Sequence, residues 1–282
     1  MKSIPYQSIP GVMKSAAKKY AAQPAVSYKK DGSYVTLSYE RLYQRVLMAA
    51  RGLRKAGLQP GDRVAILSEN RAGWVIAVGT QAARGITVPI YATNTPEQVE
   101  YVINHSGAEI IFISNRLQYE KLLAIREKIP GIRHVFSFER FLGKPELPVY
   151  TLYQLSEISH SLTVAEQQEI EAEIEQLGHD DLITIIYTSG TTGVPKGVML
   201  TQANMLFDAH YGVTKLGGMQ QRETFLSFLP LSHVLERTAG YHAALMNGCH
   251  IAFAESVEKV VENIAEIRPT MMVSVPRLFE KI

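Results

Sequence analysis

The residues most suited to chemistry lie in one short stretch, YTSGTTGVPKGVML, residues 187 to 200. Between Thr188 and Gly197 it holds three glycines (Gly190, Gly193, Gly197) and four hydroxyls (Thr188, Ser189, Thr191, Thr192), with Pro195 and Lys196. Glycines admit backbone angles that other residues avoid, and they let a ligand approach the main chain. Successive N–H groups in such a turn form an anion-binding concavity. Rotatable hydroxyls add donors, and a lysine adds a positive point charge suited to phosphate. The stretch is built to hold a polyphosphate. It departs from the G-x-x-x-x-G-K-[ST] loop, because Pro195 stands where that pattern wants glycine and Gly197 follows the lysine. It also lacks the G-x-S-x-G of a hydrolase elbow around Ser189.

The elements that must position this stretch can be read from periodicity. Residues 182–188, LITIIYT, form an apolar strand that leads directly into it, and residues 197–201 read as a returning strand. Upstream, apolar strands at 63–68, 86–91, 109–114 and 134–138 alternate with amphipathic helices at 71–84, 96–106 and 117–129. A strand at 33–39 and a helix at 40–56 precede them. In TPEQVEYVINHSG, Thr95 is the expected N-cap, with Pro96 opening the helix, Gln98 completing a capping box and Gly107 ending it. Downstream come helices at 202–216, 235–246 and 257–267, with strands at 224–229, 250–254 and 270–275. This alternation predicts an α/β fold of two lobes with mostly parallel sheets flanked by helices. The first lobe is expected over residues 1–178 and the second, carrying the loop, over 179–282. Residues 163–181 contain seven acids and no Lys or Arg, and open with a capping box from Thr163 to Glu166. They read as a solvated helix linking the lobes rather than an acidic docking surface.

The formal net charge is +2, from 29 basic and 27 acidic residues, which gives no reason to expect nucleic acid. Cys249 is the single cysteine, so no internal disulfide can form and a reducing, cytoplasmic setting is expected. Its apolar surroundings suit a core thiol better than a nucleophile. The longest apolar region, residues 74–92, is interrupted by Gln81 and Arg84 and is unsuited to span a bilayer.

TSGTTGVPKG, residues 188–197, resembles the phosphate-loop signature of the adenylate-forming superfamily, which includes acyl-CoA synthetases, luciferases and peptide-synthetase adenylation domains. LPLSHVLERTAGY (229–241) is similar to the second motif of acyl-CoA synthetases, and VSVPRLFEKI resembles the segment that precedes their acyl-binding core. NTPEQVEYVINHSGA (94–108) is similar to the matching region of long-chain fatty acid–CoA ligases. The resemblance implies that a fatty acid, ATP and CoA are the substrates. The carboxylate attacks the α-phosphorus of ATP, giving an acyl-adenylate and pyrophosphate, and the CoA thiol then displaces AMP. It also implies that Thr188, Ser189, Gly190, Thr191, Thr192, Gly193 and Lys196 bind the ATP phosphates. Thr188 would be a ligand of Mg²⁺, and His233, beside the reacting carboxylate and phosphate, would be catalytic together with Lys196. Arg237 stands where some fatty-acyl members carry a gating aromatic, which puts such a gate in question.

The family's Y-G-x-T-E and T-G-D motifs, and a C-terminal domain with a catalytic lysine, do not occur in these 282 residues. The expectation is the N-terminal part of a ligase, inactive by itself, whose last residues RLFEKI read as an interrupted helix. The alternatives are a non-catalytic short homologue that binds a nucleotide or acyl ligand, and a P-loop-like phosphotransferase, against which Gly197 argues. Fatty acids partition into membranes, which leaves peripheral membrane contact open, although no basic amphipathic helix supports it. Oligomeric state is not encoded in any recognisable pattern.

Overall fold

The computed structural model describes residues 4–140, 146–151, 162–188, 193–215, 218–219 and 223–276. In chain order its elements are α1 (Ile9–Tyr20), β1 (Pro24–Lys30), β2 (Ser33–Ser38), α2 (Tyr39–Lys55), β3 (Arg63–Leu67), a 3-10 turn (Ala72–Trp74) and α3 (Val75–Ala82). Next come β4 (Ile86–Ile90), α4 (Pro96–Ser106), β5 (Ala108–Ile113), α5 (Arg116–Ala124), β6 (His134–Ser137), β7 (Tyr150–Thr151) and α6 (Val164–Gln176). The rest are β8 (Leu182–Thr188), β9 (Lys196–Thr201), α7 (Gln202–Lys215), β10 (Thr224–Ser227), a π-helix (Glu236–His242), α8 (Ala243–Met246), β11 (His250–Phe253) and α9 (Val260–Ile267). The mixed α/β class with mostly parallel strands is as expected.

The strands form two sheets, and the chain divides into two compact units. One unit comprises Met1–Gln44, Asn70–Val75 and Ala203–Ile282; the other comprises Arg45–Glu69 and Ile76–Gln202. This corrects the division expected at residue 178. The large sheet has the order β7-β6-β5-β3-β4-β8-β9, so β8 and β9 complete the sheet of the preceding segment. Two buried threonines join β4 to β8: the Thr87 hydroxyl donates to the Ile183 carbonyl (3.0 Å) and the Thr184 hydroxyl to the Thr87 carbonyl (2.9 Å). All pairs in this sheet are parallel except the β8–β9 hairpin. On this sheet Val88, Ile90, Ile111 and Ile113 pack with Val99, Val102 and Ile103 of α4.

The smaller sheet has the order β10-β11-β1-β2. Here the first strand of the chain pairs in parallel with β11, through Val26↔Ile251 and Ser27↔Ala252. Ser27 Oγ lies 2.7 Å from both Thr36 Oγ1 and His250 Nε2, and the Tyr39 hydroxyl donates to the Cys249 carbonyl at 2.6 Å. Burial pushes the Cys249 thiol up to about 12, which suits an inert core side chain. The strand expected at 270–275 is reduced to one bridge, Phe225↔Met271. RLFEKI, where an interrupted helix was expected, lies outside the described residues.

The acidic helix α6 is not a free linker. It belongs to the larger unit, where Ile170 and Ile174 are buried. Its acids meet arginines of α2: Arg51 pairs with Glu166 at 2.7 Å, and Arg54 with Glu169 at 3.8 Å and with Glu173. In the same unit α3 crosses α2 at Gly79. A methyl group there would sit 2.5 Å from the Ala49 Cβ and 3.1 Å from the Val46 carbonyl oxygen. Gly79→Ala is therefore expected to destabilise the protein by about 2–3 kcal/mol through overpacking. Thermal unfolding measures this, and an unchanged midpoint would contradict the close crossing.

Candidate functional site: the β8–β9 hairpin and the His233 turn

The stretch expected to bind phosphate follows the carboxyl end of β8, the end of a parallel sheet at which α/β folds place their ligands. Hairpin pairing runs Ile186↔Val198, Tyr187↔Gly197 and Thr188↔Lys196. The last pair brings two of the expected site residues opposite each other, and both side chains are exposed. Among the described residues the Lys196 ammonium has no ion-pair partner, so its charge is available to an anion. Gly193 has φ +82°, the left-handed region where a side chain is strained, and a methyl there would meet nothing within 4 Å. Its glycine is therefore a backbone requirement. Ser189, Gly190, Thr191 and Thr192 lie outside the described residues. The hairpin leads into β9 rather than into a helix, so the strand–loop–helix order of a P-loop is not followed.

Gly197 has a different purpose. A methyl there would lie 2.8 Å from the Ile185 side chain and 3.2 Å from the Tyr187 ring. Glycine after the lysine lets β9 lie flush against Tyr187, where a P-loop would need a Mg²⁺-binding hydroxyl.

His233 belongs to the other unit. Its exposed ring is oriented by the backbone: the Leu235 N–H donates to Nδ1 at 3.1 Å. Nδ1 therefore acts as the acceptor, which leaves Nε2–H as the ring's donor. The His233 N–H donates to the Pro230 carbonyl (2.9 Å), and the His233 carbonyl accepts from the Arg237 N–H (3.2 Å). The preceding turn is clamped by Asn70. Its Nδ2 donates to the Leu229 carbonyl (2.6 Å) and to Ser227 Oγ (3.2 Å), while Oδ1 accepts from the Leu231 N–H (2.8 Å). One side chain thus fixes the LPLSH turn by two bonds and ties it to Ser227 by a third.

Residues 13–282 match the model of the family described as AMP-binding enzyme. The chain belongs to the AMP-binding enzyme family. The long-chain-fatty-acid–CoA ligase ACSBG1 of Rattus norvegicus is 33% identical over 275 residues, covering 95% of this chain and 38% of the relative. The ligase ACSBG2 of Homo sapiens is 31% identical over 280 residues, covering 98% and 41%. The chain thus spans well under half the length of the curated relatives it matches. The inhibitor-bound N-terminal domain of FACL13 from Mycobacterium tuberculosis superposes with a TM-score of 0.77 at 21% identity, covering 98% of this chain and 64% of that one. That likeness establishes the fold.

In this AMP-binding family member the segment after His233 is a π-helix, a widened turn frequent at functional sites. It buries Glu236, Arg237 and His242. Arg237, which the resemblance sets against a gating aromatic of some fatty-acyl members, is an interior residue. The Glu236 carboxyl lies against Gly240, where a methyl would come within 2.5 Å of it. Burial raises Glu236 to about 7, partly offset by a hydrogen bond from Ser227. Burial, with the neighbouring Arg237 charge, lowers His242 to about 3. Both groups are neutral over most of the acid range.

Opposing pH dependences follow. Folded Glu236 keeps its proton to about pH 7, whereas the unfolded side chain releases it near 4.5. Folding takes up that proton, so this group makes stability fall as pH rises from 4.5 to 7. His242 is held neutral down to about pH 3 against 6.5 unfolded, so its contribution is lost as pH falls through that range. Glu236→Gln should therefore gain stability relative to the parent as pH rises from 5 to 8, by on the order of 3 kcal/mol at the alkaline end. Thermal midpoints across that range check it, and a pH-independent difference would contradict it.

Sequence reasoning missed Asn70, Tyr101 and the π-helix. Tyr101 and His105 did carry a signal, since their i,i+4 spacing on a capped helix places them on one face. Asn70 carried none. Among the described residues no group of three or more His, Cys, Asp or Glu side chains could hold a metal. The hairpin fits a polyphosphate through Lys196 and Gly193. Among its described residues the hairpin offers a metal the neutral hydroxyl of Thr188 and no carboxylate, so a cation would depend on phosphate oxygens for most of its ligands. No helix among the described residues is long and apolar enough to cross a membrane.

Proposed function

We propose that the complete gene product to which these residues belong activates a long-chain fatty acid with ATP, forming an acyl-adenylate, and passes the acyl group to CoA. The observation that carries the reading is the hairpin, with Thr188 and Lys196 opposed at the carboxyl end of β8 beside left-handed Gly193. Residues Thr188 to Gly193 would receive the β- and γ-phosphates through main-chain amides and hydroxyls. Lys196 would neutralise charge as pyrophosphate departs, which is where preorganised electrostatics contribute most. The His233 Nε2–H would donate to the carboxylate or α-phosphate oxygens as charge shifts between them. Mg²⁺, bound with ATP and touched by Thr188, would supply further charge neutralisation on the leaving group. The fatty acid as substrate is supported by the names of the ACSBG1 and ACSBG2 relatives. The buried single thiol suits the reducing cytoplasm.

The test is ATP–pyrophosphate exchange by the complete gene product. Exchange that depends on a long-chain fatty acid and Mg²⁺ is expected. Exchange that ignores the fatty acid, or its absence with every acid tried, would refute the reading.

A further inference from the structure

We infer that Tyr101 is a positioning residue for the phosphate loop, acting with His105 and Tyr187 as one platform under both arms of the hairpin. The inference rests on the proposed reading of that loop as an ATP holder. α4 presents Tyr101 and His105 one turn apart. The Tyr101 hydroxyl donates to the Pro195 carbonyl at 2.9 Å. Proline has no N–H, so this carbonyl is the only main-chain polar group by which residue 195 can be held. The next residue is Lys196.

The other arm is held by the same group. His105 Nδ1 lies 2.8 Å from the Tyr187 hydroxyl. Tyr101 stacks on His105 with ring centres 5.3 Å apart and meets Tyr187 edge-on at 6.2 Å. Tyr187 precedes Thr188 and faces Gly197, whose missing side chain permits the approach. The platform thus grips the residue just before Thr188 and the residue just before Lys196. Holding both arms orders the hairpin before nucleotide arrives, and preorganisation of this kind lowers the cost of binding.

Tyr101→Phe removes one oxygen and keeps the ring packing. In the complete gene product, two effects are expected together. Without nucleotide, backbone amides in peptides covering residues 193–201 should exchange with deuterium about fivefold faster, the scale of one lost hydrogen bond. The KM for ATP in fatty-acid-dependent pyrophosphate exchange should rise by a similar ~fivefold factor, with the fatty-acid KM unchanged. A merely structural tyrosine would lower the thermal midpoint without this selective change in ATP KM. Wild-type values for either the deuterium exchange or the ATP KM overturn the inference. If the parent protein uses ATP normally and Tyr101→Phe matches it, this inference alone fails. If the parent shows no ATP dependence, the reading of the loop fails and takes this inference with it.

Discussion

Lys196→Ala is expected to lower kcat/KM for ATP in fatty-acid-dependent pyrophosphate exchange by ~10²-fold, the scale of removing one preorganised donor from a site of developing charge. The side chain is exposed at the first position of β9 and is opposed across the hairpin by Thr188. Among the described residues no acid neutralises it, so its charge remains available to a ligand. Truncation exposes no core and breaks no ion pair there, so the melting temperature should hold while activity falls. Lys196→Arg keeps the charge on a wider head group and should recover part of the loss. The KM for the fatty acid should not move. A loss confined to the fatty-acid KM would place the lysine at the acyl end of the reaction and contradict the assignment.

The second large effect is expected at His233. Because Nδ1 accepts from the Leu235 N–H, the catalytic contribution proposed for this ring would come from the Nε2–H alone. His233→Ala should lower kcat for exchange by ~10²-fold, within the range for a single electrostatic or proton-handling group. His233→Gln, whose amide nitrogen reaches toward the Nε2 position, should retain more activity than His233→Asn, whose shorter amide mimics Nδ1. The ATP KM should change little in either. Equal activity of the Gln and Asn variants would contradict the donor role, and so would a purely ATP-linked defect.

Much of the fold was legible because its strands and caps are local signals. RVAIL, ITVPI and AEIIFI are short apolar runs that suit strands buried on both faces, and they form the middle of the large sheet. The capping boxes at Thr95 and Thr163 form as their spacing implies. What escaped depended on partners distant in sequence. The N-terminal helix α1 contains Pro10 and Gly11, which mask a clear stripe of Ile9, Val12, Met13, Ala16 and Tyr20. Pro10 stands in the first turn, where a missing N–H costs nothing. The division of units escaped because β1 pairs with β11, more than two hundred residues later. The acids of α6 looked like a linker because the arginines that meet them sit far upstream on α2.

At the site, residue types pointed to phosphate chemistry, and the structure places two of those residues, Thr188 and Lys196, opposite each other. The π-helix could not be read, since one extra residue per turn over seven positions leaves no distinct period. Asn70 escaped for a similar reason: its clamp consists of bonds to backbone atoms of residues 229 and 231, which have no sequence signature.

The central claim is that the β8–β9 hairpin grips the triphosphate of ATP through Lys196. Calorimetric titration of the complete gene product, parent and Lys196→Ala, with ATP and with AMP tests it most directly. ATP affinity is expected to fall about tenfold or more on losing the charge-assisted contacts, while AMP, which lacks the β- and γ-phosphates, should bind both proteins equally. Unchanged ATP affinity, or an equal loss for ATP and AMP, would contradict the account.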